Sequence, residues 1–238
     1  MSEQGSAPPD SGTPQAPPES PQKVPAPPPR VLDELLGRDR AILILVVLLV
    51  ELAIFVVGLV TPLGSAEQQS IANQTSSQFQ FVSTATPVEL VGFIFFHNLA
   101  IALIEMVPVF GAVFFLISIY TTGLATQAIV GAQGLPGTSG LILFALPYSI
   151  VELSAYAIAV GAGTMLLLSL FRKKFTSELK VFAVEGAVVG VVLVSAATME
   201  TITRYSVLAG LALWVPTLFI LAALVILATR RKKPWSSI

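Results

Sequence analysis

The sequence predicts an all-α protein, a polytopic membrane helical bundle of six transmembrane helices whose fourth segment is broken by proline. Three observations predict it. Of the 238 residues, 54% are hydrophobic and only 11% charged, with a mean hydropathy of +0.82, whereas a soluble domain carries about 25% charged residues. The apolar residues fall in several runs of about 20, a length that crosses a hydrocarbon layer about 30 Å thick at 1.5 Å per residue. The basic residues collect in clusters between those runs. This composition argues against a soluble globular enzyme. The absence of cysteine excludes disulfides, Cys-ligated metals and thiol catalysis, and a formal net charge of −1 gives no reason to expect nucleic acid as a partner.

The elements follow in order. Residues 1–30 are mostly Pro, Ser, Ala and Gln and bury too little apolar surface to offset chain entropy, so a disordered tail is expected. In 31–40, Val31, Leu32, Leu35 and Leu36 fall at helical spacing with Asp33, Glu34, Arg38 and Arg40 elsewhere, a pattern suited to a short helix lying at the membrane interface. The first three spans are 41–60, 88–107 and 109–130, the last two separated by Pro108. The run 141–171 is too long for one simple span. Pro147 within it removes a backbone donor, so 139–146 is expected to be a short surface or re-entrant piece and the span to start near Tyr148. The fifth and sixth spans are 181–199 and 206–229, and a basic tail, 230–238, closes the chain. The one long loop, 61–87, is rich in Gln, Ser, Thr and Asn and holds Asn73-Gln74-Thr75, a glycosylation acceptor pattern.

Orientation follows from the Lys and Arg residues, which mark the cytoplasmic side of short loops. Four precede the first span (Lys23, Arg30, Arg38, Arg40) and four follow the fourth (Arg172, Lys173, Lys174, Lys180). Four more follow the sixth, from Arg230 to Lys233, while 61–87 and 131–140 hold none. Six spans with a cytoplasmic N-terminus place twelve of the thirteen basic residues inside, Arg204 alone excepted, and five or seven spans spoil the tally. A multi-pass protein of the cell membrane with both termini cytoplasmic is expected.

A charged group at bilayer depth costs about 2.5–3.5 kcal/mol, which makes it a functional candidate. Glu51 falls at the middle of the first span, His97 and Asn98 at the middle of the second, and Glu105 near its inner end. Glu152 lies in the fourth, and Glu185 and Glu200 near the inner and outer ends of the fifth. No Lys or Arg lies deep in any span, so these acids are expected to lack a buried cation and to be protonated or hydrogen-bonded to neutral partners such as Asn98 and Tyr148. Asn98 and Glu105, seven apart, share a helix face; Tyr148, Glu152 and Tyr156 repeat every four into one polar stripe; Glu200 and Arg204 pair if their helix continues. Gly186 and Gly190 form GxxxG, and Gly161, Gly163 and Gly123 are further small residues suited to close helix packing.

Catalytic patterns are scarce. Gly137-Thr138-Ser139-Gly140 matches the GxSG of rhomboid intramembrane proteases. A serine nucleophile needs a base, and rhomboids take a His from the sixth span, whereas the single His here, His97, lies in the second. One His cannot complete HExxH, and no GxxxxGK[ST] is present. No catalytic, cofactor or metal site is expected.

Several short elements recur in a recognisable order. The first is Phe95-Phe96-His97-Asn98-Leu99-Ala100-Ile101-Ala102-Leu103, followed by the turn from Pro108 to Gly111 and by Thr122-Gly123. Next come Pro147-Tyr148-Ser149-Ile150-Val151-Glu152-Leu153-Ser154-Ala155 and then Ala196-Ala197-Thr198-Met199-Glu200-Thr201-Ile202-Thr203. From Val88 to Ser206 this order resembles the stage II sporulation protein M family, with its Asn-Leu-x-x-Ala-Leu, Asn-Gly, Pro-His-Gly-x-x-Glu-x-x-Ala and Ile-Glu elements. The chain departs from it at Thr122, where the family has Asn, and at Tyr148 and Ser149, where it has His and Gly. The resemblance implies a polytopic membrane protein without a known reaction; in spore formers the namesake anchors a peptidoglycan-degrading complex during engulfment. The first functional expectation is accordingly a membrane scaffold or assembly protein, embedded in the lipid bilayer and recruiting protein partners or further copies of itself. The alternative is a transporter or permease subunit that moves a solute or protons through the cluster Glu51, Asn98, Glu105 and Glu152.

Overall fold

A computed structural model describes residues 31–230, and these are helical from end to end with short connections. The order is α1 (Val31–Leu35), α2 (Arg38–Val60), α3 (Ser65–Thr84), α4 (Pro87–Glu105), α5 (Phe110–Ala132), a 3-10 stretch (Gly137–Ala145), α6 (Pro147–Phe171), α7 (Phe175–Tyr205), α8 (Val207–Ala212) and α9 (Trp214–Arg230). Five of them, α2, α4, α5, α6 and α7, are long and apolar enough to cross a membrane. The expected tail 1–30 and all of the basic tail beyond Arg230 lie outside the described residues.

Local chemistry sets the helix boundaries. Pro147 opens α6 at a first-turn position, where its missing N–H is one no helix satisfies internally. The 3-10 stretch before it is the expected separate piece. At the start of α4 the Thr86 side chain accepts from the Glu89 backbone while the Glu89 carboxylate accepts from the Thr86 N–H at 2.8 Å, a reciprocal cap that satisfies two otherwise orphaned donors. The turn into α5 is tight. Val109 takes φ 68°, and a methyl group built on Gly111 would stand 2.9 Å from the Glu105 Cα. Between α6 and α7, Lys173 takes φ 55° and the Lys174 N–H donates to the Ser169 carbonyl at 3.1 Å, closing the end of α6.

Helix α6 is central. Twelve of its 25 residues are buried, many of them small (Ala155, Ala157, Ala159, Gly161, Ala162, Gly163), which lets α7 and α2 approach closely. The core adds Phe55 and Leu59 from α2, Ala102 from α4, Ile119 from α5, and Val189 and Leu193 from α7. A close helix crossing lies between α2 and α5. A methyl on Gly58 would stand 3.1 Å from the Gly123 Cα, and one on Gly123 the same distance from the Gly58 Cα. The Gly186–Gly190 pair does not work this way: a methyl on Gly190 meets nothing within 4 Å.

Three segments differ from the expectation. The loop 61–87 is largely the helix α3, packed on α5. Its polar stretch has no Gly or Pro from Ser65 to Thr84 and contains the helix formers Ala, Glu and Gln. The sixth run is two helices, α8 and α9, parted at Leu213. Pro216 has no N–H to give the Ala212 carbonyl, so α8 ends there and the proline sits in the first turn of α9. At the other end, α1 covers only Val31–Leu35, and Arg38 to Arg40 already belong to α2.

Candidate functional site

A partly open cavity of about 730 Å3 lies among α2, α4, α5, α6, α7 and the 3-10 stretch. It gathers Glu51, Asn98, Glu105 and Glu152, the four residues expected to cluster, together with His97, Tyr148 and Glu200. The start of α6 at Pro147 places Tyr148, Ser149 and Glu152 in the first turns of that helix, on the cavity wall.

Glu51 is wholly buried, and among the described residues neither of its carboxyl oxygens has a hydrogen-bond partner. Glu105 is 2% exposed, and its Oε2 has none among them either. Glu152 accepts from the Tyr156 hydroxyl at 3.0 Å, so its neutral partner comes from its own stripe and is neither Asn98 nor Tyr148. Glu200 and Arg204 form a 2.6 Å ion pair one helical turn apart, as α7 continues past both. Asn98 is buried, and the exposed His97 ring stacks on Phe93 with centroids 6.2 Å apart. Ser139 also lines the cavity, but among the described residues no hydrogen bond joins it to His97. Nor do the described residues contain three His, Asp or Glu placed to hold a metal ion.

The remaining candidates lie elsewhere. Gly123 belongs to the α2–α5 crossing, and Asn73 is exposed on α3. Glu185 faces a different partner, and here an expectation fails. Arg40 is buried, its Nη1 2.6 Å from Glu185 and its Nη2 paired with Glu178. A cation therefore does lie inside the helix bundle. Arg40 is the third residue of α2, and Glu178 and Glu185 come from the first half of α7, so the two helices meet through this buried charge, which is tolerable only when paired. The available sequence signal was the seven-residue spacing of Glu178 and Glu185, which sets both on one face of α7.

A few carboxyls in a cavity with apolar and aromatic walls can take up a proton or a positively charged group, and the volume lies in the range of about 300–1,000 Å3 that holds a small molecule. Fold and cavity together mark the class as an all-helical membrane protein, with five helices suited to crossing. No protein family, curated protein or solved structure matches the chain.

Proposed function

We propose that the protein is a membrane carrier, a transporter or permease subunit whose cavity binds a solute and whose carboxyls exchange protons with it. One observation carries the reading: Glu51 and Glu105, buried and, among the described residues, without hydrogen-bond partners for three of their four oxygens, share one cavity with Glu152. Ionisable groups at such depth are expensive, and a purely structural bundle has no use for a cavity around them. In this reading α8 and α9 together make the sixth crossing and both termini are cytoplasmic. Glu200 and Arg204 then lie toward the outer face, and the Arg40 cluster lies at the inner end. The test is reconstitution into vesicles carrying a pH-sensitive dye and an imposed proton gradient, challenged with cationic, anionic and neutral solutes. One solute class should dissipate the gradient, and Glu152→Gln should abolish the effect. Wild-type vesicles that respond to no class would overturn the reading.

We also propose kinship with the stage II sporulation protein M family. What supports it is that Asn98, Tyr148, Glu152 and Glu200, drawn from the separate elements of the resemblance, all line the same cavity. The role this kinship implies, a scaffold that recruits partners, is the second reading. It is favoured by α9, whose Leu218, Phe219 and Ile220 are exposed along an apolar helix. A photo-crosslinker at Phe219 should then capture a defined protein in native membranes. Crosslinks to lipid alone would remove the scaffold reading.

A further inference from the structure

We propose that the cavity accepts an amphiphilic organic cation, an ammonium group on an apolar body, and exchanges it for protons. The inference rests on the carrier reading and names its substrate class. The charge balance of the cavity comes first. Helix α2 contributes Glu51, α4 contributes Glu105 and His97, α6 contributes Glu152 with Tyr148 and Tyr156, and α7 contributes Glu200 and Arg204. The 3-10 stretch and α5 contribute no charged group. Since Arg204 is paired with Glu200, three carboxyls face the cavity without a cation of their own among the described residues. An anionic solute would stand against all three, and a neutral one, though able to hydrogen-bond to the Glu51 oxygens, would leave the carboxylate charge unbalanced.

The walls then separate organic from inorganic cations. A bare metal ion asks for several converging ligands at short range, and the described residues bring no three His, Asp or Glu together for one. A cavity of about 730 Å3 is also far larger than a dehydrated ion. Its aromatic walls include Phe55 and Phe144, packed edge to face with centroids 5.1 Å apart. Aromatic faces attract cations, and apolar walls take up the body that carries the charge. Exchange follows from competition. A cation seated at a carboxylate displaces the proton that the carboxyl holds, and return of a proton frees the cation, so the two occupy the same oxygens in turn.

The experiment uses the full-length protein in nanodiscs of zwitterionic lipid, with tetraphenylphosphonium as the cationic probe and tetraphenylborate as an anion of matching shape. Tetraphenylphosphonium should bind saturably, release protons into weakly buffered solution and bind less tightly as the pH falls. Glu51→Gln and Glu105→Gln should each weaken binding about tenfold or more, with a monodisperse elution profile showing that the variants remain folded. The pH dependence of the unmodified protein tests the same point without any substitution. Saturable binding of the borate in preference to the phosphonium would overturn the proposal, as would undiminished phosphonium binding in both variants. If the phosphonium fails to bind while a neutral solute dissipates the proton gradient in vesicles, the carrier reading stands and the cation assignment falls. If the phosphonium binds with proton release but no cation crosses the membrane, the site stands and the carrier reading falls.

Discussion

Arg40 and Glu185 are 145 residues apart in the chain and 2.6 Å apart in the fold, both almost wholly buried. With Glu178 on the second guanidinium nitrogen, this contact joins the head of α2 to the first turns of α7. Removing the cation leaves two carboxylates with no partner of opposite sign, a change that costs about 3–5 kcal/mol for a buried pair. Arg40→Met should therefore lower the temperature at which the purified protein loses its monodisperse profile by many degrees. The triple exchange Arg40→Met, Glu178→Leu and Glu185→Met, which removes all three charges together, should recover most of the loss. An unchanged melting temperature for the single variant would show that the contact contributes nothing.

Two glycine positions are expected to respond in opposite ways. Gly58→Ala pushes a methyl group into the backbone of α5 beside Gly123, so α2 and α5 must separate and stability should fall. Gly190→Ala meets open space and removes backbone freedom from the unfolded chain, which should raise stability by about 0.5–1 kcal/mol. Thermal denaturation in one detergent ranks the two, and the reverse order would contradict the crossing.

The reciprocal cap at the start of α4 makes a separate prediction. Thr86→Ala loses the side-chain acceptor for the Glu89 N–H and should cost about 1 kcal/mol, while Thr86→Ser keeps it. Hydrogen exchange at the first turn of α4 is the sensitive readout, and equal protection in both variants would count against the cap.

Lys173 holds a left-handed conformation that penalises any residue with a Cβ. Lys173→Gly should accordingly stabilise the α6–α7 connection by about 1 kcal/mol. A lower melting temperature would mean that the lysine side chain contributes more than its backbone costs.

The apolar runs made five helices long and apolar enough to cross a membrane legible, because length and hydropathy alone identify them. The break before α6 was legible because Pro147 has no N–H to donate. Helical spacing already placed Tyr148, Glu152 and Tyr156 on one stripe, and the hydrogen bond between the last two follows from it. What escaped was of two kinds. Helix α3 has no apolar periodicity to announce it, and its polar sequence reads as a loop until packing against α5 is seen. The Arg40 cluster is a contact between residues 145 apart in the chain, and nothing local to Arg40 points to α7. The gathering of Glu51 with Glu105 and Glu152 lies between these cases: each was visible as an acid in a span, but their shared cavity is a property of how α2, α4 and α6 pack.

Helix α7 runs unbroken for 31 residues, from Phe175 to Tyr205, a rod of about 46 Å at 1.5 Å per residue. Near one end it is clasped to α2 through Glu185; near the other it carries Glu200 and Arg204 on the cavity rim. Between those points it packs along α6 and α4. One continuous helix thus carries both the buried ion cluster and part of the cavity wall, so whatever alters the start of α7 acts on an element that also lines the cavity.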